Sequence, residues 1–140
     1  MALDTDSSLA ALIAMVAWTM THVILTLGYR SLLINTGRAK PNAFGPSYMD
    51  DQRHFVGRVG HSHHNCVENL VLFAAVVLVH RNSSSSSSID HLAWYYVYAR
   101  VGQALSHWWS ISEMAVTVRF LFFVTSLVLV GRMLYLTAFL

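Results

Sequence analysis

Apolar residues gather into four long stretches, at 9–34, 59–79, 89–109 and 115–140, with polar and turn-forming residues concentrated between them. A helix needs roughly 20 residues to cross a hydrocarbon core of about 30 Å, and each stretch reaches that length. No succession of short alternating segments suggests a transmembrane barrel, and the chain carries only two prolines and seven glycines. The pattern predicts an all-α fold, an integral membrane four-helix bundle that forms a single domain over 1–140. Between the first two stretches lies INTGRAKPNAFGPSYMDDQRHF, whose Gly, Pro, Asn and Asp residues stop helices and form turns. The next connection, HRNSSSSSS, is a serine run with nothing to bury and reads as a flexible link. It holds the formal sequon Asn82-Ser83-Ser84, too close to the flanking helices for use. The third connection, at 110–113, is short enough to make the last two helices antiparallel neighbours.

Composition sharpens this picture. Of 140 residues 55% are hydrophobic and 11% charged, where a soluble domain carries about 25% charged residues. Lipid is therefore the expected solvent for most of the surface. A net charge of +2, scattered along the chain, excludes the dense basic face that nucleic-acid binding needs. The single cysteine, Cys66, rules out an intramolecular disulfide and reads as a packed thiol inside an apolar helix. MALDTDSS carries no Lys or Arg before the first apolar run, and that run exceeds a signal-peptide core, so the first helix is expected to stay in the mature protein. Arg30, Arg38, Lys40, Arg53 and Arg58 surround the first loop, against Arg81 alone in the serine loop. Basic residues favour the cytoplasmic side, so the first and third loops are expected there and both termini across the membrane.

Candidate chemistry lies on the second, third and fourth helices. At about 100° per residue, Arg58, His61, Asn65 and Glu68 fall within an arc of roughly 80°. An ionised Glu in lipid costs several kcal/mol, so Glu68 is expected to face an Arg partner. A competing reading has Asn65 and Glu68 only stapling helices through hydrogen bonds. On the third helix Arg100, Gln103 and His107 recur at i, i+3 and i+7, and Arg119 opens the fourth. Three cations and a carboxylate at one depth point to an anionic ligand, although Arg100 and Arg119 are also placed to snorkel toward headgroups. His61, His63 and His64, with His54 upstream, invite a zinc reading. On a helix, however, His63 points nearly opposite to His61, so no metal site is expected. Trp94, Tyr95, Tyr96, Tyr98, Trp108 and Trp109 sit near the ends of the third helix, as interfacial belts do. His22 and Arg30 on the first helix line the site or reach the interface.

These residues resemble the MAPEG family, the membrane-associated proteins in eicosanoid and glutathione metabolism. The likeness rests on R-x-x-H-x-x-x-N-x-x-E from Arg58 to Glu68, followed by NLVLFAAVVLV, on YVYARVGQAL in the third helix, and on an Arg opening the fourth. It implies a homotrimer, with each site between neighbouring subunits and open to the cytoplasmic leaflet, in the endoplasmic reticulum membrane. It further implies that Arg119 holds the glutathione thiolate, that Asn65 and Glu68 contact the tripeptide backbone and amine, and that Arg58 and Arg100 meet its carboxylates. Where glutathione-using members commonly carry an Arg four residues before the Asn, this chain has His61. The tyrosines usual on the third helix appear as Gln103 and His107.

Three functions follow as expectations. One is a glutathione-dependent transferase or isomerase acting on a lipophilic small molecule that enters from the membrane lipids. A second is a glutathione-independent isomerase or cyclase of a lipophilic metabolite, in which His61, His107 or Glu68 transfers protons, since histidine changes charge in the physiological range. The third is a non-catalytic lipid-binding scaffold of the same fold.

Overall fold

The computed structural model describes residues 7–45, 51–83 and 88–139. Four helices account for most of them: α1 (Ser7–Asn35), α2 (Phe55–Asn82), α3 (Asp90–Trp109) and α4 (Glu113–Phe139). All four predicted helices are present, and α2 is longer than the apolar pattern marks, starting at Phe55 rather than at 59 and ending at Asn82 rather than at 79. The added C-terminal residues, His80, Arg81 and Asn82, are polar, and both extensions are held by local bonds. The Asp51 carbonyl accepts from the His54 N–H at 3.2 Å before α2, and the Ser83 hydroxyl donates to the His80 carbonyl at 2.7 Å after it. Gly57 permits that entry, because a Cβ there would stand 2.0 Å from the Asp51 carbonyl oxygen. α1 ends where Gly37 takes φ 68°, a left-handed stop that turns its N–H toward the Ile34 carbonyl at 3.0 Å. One turn of 3-10 helix, Pro41–Ala43, follows in the loop.

α3 lies against all three other helices, and α2 also packs on α1 and α4. The core forms where Ala11 and Met15 of α1, Phe73 and Val77 of α2, Ala93 and Tyr96 of α3 and Met133 of α4 meet. Phe73 stacks on Tyr96 with ring centroids 4.3 Å apart, and the Tyr96 hydroxyl donates to the Asn69 carbonyl at 3.0 Å. Gly102 lets α4 approach closely, since a Cβ there would meet the Phe122 ring at 2.6 Å. The start of α1 is tied to α3 by the Ser8 N–H donating to Asp90 Oδ1 at 2.8 Å and by Trp94 Nε1 donating to Ser7 Oγ at 3.0 Å.

Among the described residues α1, α2 and α4 are long and apolar enough to cross a membrane. α3 is shorter, at 20 residues, which is still roughly the length a membrane crossing needs, but it is less apolar. It carries Arg100, Gln103 and His107 where three neighbours shield it from lipid. The outward faces of α1 and α4 are correspondingly apolar, with Met20, Ile24, Leu121 and Val128 exposed.

Two aromatic residues depart from the expected interfacial belt. Tyr96 is buried in the core, and Trp108 turns inward to stack on Trp18 at 5.4 Å and to meet His22 edge-on at 5.2 Å. Only depth along the helix argued for the belt, and depth says nothing about which side of α3 faces a neighbour. Trp109, 87% exposed, does point outward. The serine run 84–87 lies outside the described residues.

Candidate functional site

Arg100 is the anchor of the polar interior. At 1% exposure it is the largest fully buried side chain. Its Nη2 donates to the Asn65 carbonyl at 2.7 Å and to Asn65 Oδ1 at 3.0 Å, and its Nη1 donates to Gln103 Oε1 one turn along α3. Asn69 Nδ2 reaches the same two Asn65 oxygens at 2.9 and 3.0 Å. The Arg100 Nε–H has no partner among the described residues. Every atom Arg100 touches through a hydrogen bond is neutral. Among the described residues the ion pairs are Arg53–Asp51, His54–Asp51 and His64–Glu68, and none involves Arg100 or Arg119.

Arg119, on the second turn of α4, is 8% exposed. Its Nη1 donates to His107 Nδ1 at 3.0 Å, and its Nε and Nη2 reach the carbonyls of Ala115 at 3.3 Å and Ser110 at 3.5 Å. Between this pair and the Arg100 cluster lies a cavity of about 460 Å³, lined by Gln52, Asn65, Gln103, His107, Val116, Arg119, Phe120 and Phe123. Its polar wall comes from the turn before α2, from α2, α3 and the base of α4, and its apolar wall from α4 alone. The bundle therefore brings together Asn65, Gln103, His107 and Arg119, with Arg100 directly behind two of them. A buried cation without a counter-ion is costly in a bilayer, and an arrangement of two of them around a cavity is suited to an anion.

The MAPEG family model matches residues 8–139. The chain belongs to the MAPEG family. Against curated proteins and against solved structures it finds no significant match.

Other predicted residues of this MAPEG chain sit elsewhere. Arg58 is held by backbone carbonyls: its Nε donates to Trp108 at 3.0 Å, and its Nη1 donates to Gln52 at 3.2 Å and Arg53 at 3.1 Å. It closes the C-terminal end of α3, where cations complement the unsatisfied carbonyls. Glu68 does not face an Arg. Its side chain is 63% exposed and meets His64 on its own helix at 3.2 Å. His61 faces a second cleft of about 740 Å³ between α1 and α2, which it shares with His63, His64 and Arg30. Among the described residues no three His, Cys, Asp or Glu side chains are placed to hold a metal ion. Arg30 also lies over the Phe44 ring, 4.7 Å from its centroid.

Residues that pattern reading passed over include Asn69, Gln52, Phe120 and Phe123. Asn69 lies one turn after Asn65, a spacing that was visible; Gln52 and the two phenylalanines reach the cavity only through tertiary folding. His22 is fully buried, donating from Nδ1 to the Trp18 carbonyl at 2.9 Å and meeting Ser62 Oγ with Nε2 at 3.0 Å. It joins α1 to α2.

Proposed function

We propose that this MAPEG protein is a membrane enzyme, a glutathione-dependent transferase or isomerase acting on a lipophilic small molecule. The observation that carries the reading is the pair of buried guanidiniums, Arg119 in the cavity wall and Arg100 directly behind Asn65 and Gln103 of that wall, with neutral partners alone among the described residues. Glutathione fits that demand, being a tripeptide with two carboxylates and an ionisable thiol. Arg119 would hold its sulfur, and Arg100 with Asn65 would hold a carboxylate end. Bound glutathione supplies a nucleophilic thiol, and a nearby cation favours the reactive thiolate over the thiol, whose ordinary pKa is about 8.5. Val116, Phe120 and Phe123 form the apolar wall against which the second substrate would lie, entering from the lipid side of α4. Arg58 then acts by holding the rim rather than by meeting the ligand.

The assembly belongs to the same proposal. Exposure of the His64–Glu68 pair on a membrane helix is expensive in lipid and is relieved if a neighbouring subunit covers it, as in the homotrimer that the family resemblance implies. His61 and Glu68 then complete the site from the subunit face. The cavity lies at the end of the bundle next to the Arg-rich first loop, so it faces the cytoplasm, with the protein in the endoplasmic reticulum membrane.

The test is the thermal stability of the detergent-solubilised protein with and without millimolar glutathione, for wild type and Arg119→Ala, together with native mass spectrometry for subunit number. A ligand at a hundredfold excess over its Kd stabilises by about 2.7 kcal/mol. A shift present in wild type and lost in the variant is expected. No shift in an intact trimer would reject glutathione and leave proton transfer by histidine on a thiol-free substrate.

A further inference from the structure

α4 carries a second arginine, Arg132, which is exposed on the outside of the bundle. Its guanidinium has no ion-pair, hydrogen-bond or ring partner among the described residues. The exposed side chains nearest to it along the helix are apolar, with Val128 one turn before it and Leu134 two residues after it. A bare cation on a lipid-facing helix is costly, so its depth decides what it can meet. α3 and α4 run antiparallel, with Gly102 beside Phe122 and His107 beside Arg119. Equal steps along the two helices from these contacts set Arg132 level with residues 92–94, about one turn inside the start of α3 at Asp90. At that start the Ser8 N–H donates to Asp90 Oδ1 at 2.8 Å and Trp94 Nε1 donates to Ser7 Oγ at 3.0 Å. This is the polar boundary of the bundle at the end opposite the first loop, and an arginine there reaches the headgroup layer.

α4 continues past the start of α3, and its last turns stay exposed at Tyr135 and Phe139, whose ring centroids are 5.3 Å apart. Tyr135 follows Arg132 by three residues and shares its face. Helical side chains lean toward the N-terminus, so the Tyr135 ring extends back over the turn that carries Arg132. The guanidinium offers a planar fork that matches two oxygens of a phosphate, and the phenol adds one O–H from the headgroup side. A carboxylate is the poorer fit. Among the described residues Asp90 is the only one at this end, and its oxygens already accept from the Ser8 N–H and from the Ser88 hydroxyl at 3.1 Å. A second copy of the chain would bring the same occupied Asp90.

We propose that Arg132 and Tyr135 hold the phosphate of an anionic phospholipid, with its acyl chains lying along Val128 and Leu134. The site does not depend on the glutathione reading. An anionic lipid is preferred to a zwitterionic one, because choline sets a second cation beside Arg132. The bound headgroup fixes the depth of α4 at the end remote from Arg119.

Native mass spectrometry of the delipidated protein, titrated with phosphatidylglycerol or with phosphatidylcholine, measures the preference as the ratio of dissociation constants for the first lipid bound per subunit. Wild type is expected to favour phosphatidylglycerol by about fivefold. Arg132→Gln should bind the two lipids equally, and Tyr135→Phe should lose about twofold of the preference. Arg38→Gln, which removes a cation at the opposite end, should keep it whole. Arg132→Leu suits a lipid-facing position and carries the same expectation if Arg132→Gln does not fold. A preference that persists in Arg132→Gln or Arg132→Leu overturns the proposal. Displacement of phosphatidylglycerol by millimolar inorganic phosphate also overturns it, since the site then serves a soluble anion. A change of subunit number in Arg132→Gln with lipid binding intact does the same, by placing a partner subunit on Arg132.

Discussion

Arg100→Met removes a buried cation while nearly preserving volume, and its effect on stability differs in sign between a ligand-binding role and a stapling role. The losses are local. Asn65 keeps Asn69 Nδ2 on both of its oxygens, at 2.9 and 3.0 Å, so only Gln103 Oε1 is left without a donor. An unsatisfied buried acceptor costs about 1–3 kcal/mol. Against this, the variant eliminates the orphaned Nε–H, of similar cost, and the desolvation of a charge that no carboxylate offsets, which is several kcal/mol per buried ion. The ligand-free protein is therefore expected to be as stable as wild type or up to about 3 kcal/mol more stable, the sign that follows when a polar group is kept for function. Glutathione should then give none of its stabilisation. Chemical unfolding in mixed micelles, with and without millimolar glutathione, measures both quantities. A ligand-free loss of more than about 2 kcal/mol with the glutathione shift intact would refute the reasoning and make Arg100 a structural staple.

Gly57→Ala places a Cβ 2.0 Å from the Asp51 carbonyl oxygen, so residues 51–54 must move; a loss of about 1–3 kcal/mol, with weaker glutathione binding as Gln52 leaves the rim, should appear in thermal unfolding and titration. Tyr96→Phe deletes the bond to the Asn69 carbonyl but keeps the stack on Phe73, and should lower stability by about 1 kcal/mol without altering ligand-induced shifts. Hydrogen bonds from Arg53 hold the Asp51 carboxyl down to about 2 from its ordinary 3.8. A depressed folded value means the stabilisation is present above pH 3.8 and disappears as pH falls through about 2, so carbon NMR of Asp51 should show its midpoint near 2 in wild type and near the ordinary value in Arg53→Ala.

The four helices were legible because apolar length is a strong signal in a chain whose solvent is lipid, and Arg100, Gln103 and His107 were legible because their spacing already placed them on one face of one helix. Arg58, His61, Asn65 and Glu68 resisted the same argument. Their arc of roughly 80° is correct for an ideal helix, yet it straddles the ridge between two clefts. Asn65 falls on the α3 side, His61 on the α1 side, and Glu68 on the exposed crest. A helical wheel gives a direction from one axis and does not say which neighbour occupies it. Arg58 failed for a different reason: its partners are carbonyls of Trp108, Gln52 and Arg53, and backbone acceptors leave no trace in side-chain patterns.

The polar interior also bears on whether the cavity is only a means of holding helices together. Interhelical hydrogen bonds made by side chains staple membrane helices at about 0.6–2 kcal/mol each, and the fold already uses them: His22 with Ser62 joins α1 to α2, the Tyr96 hydroxyl with the Asn69 carbonyl joins α3 to α2, and His80 Nδ1 meets Thr137 Oγ1 at 3.1 Å between α2 and α4. None of those contacts draws on an arginine. Arg100 and Arg119 add two cations to the same interior, and the desolvation of each exceeds what a neutral staple would return. Asn65 and Gln103 would bridge α2 and α3 more cheaply by pairing directly with each other than by both pairing to Arg100. A bundle needing only cohesion gains nothing from that substitution; a bundle that must hold an anion needs the charge.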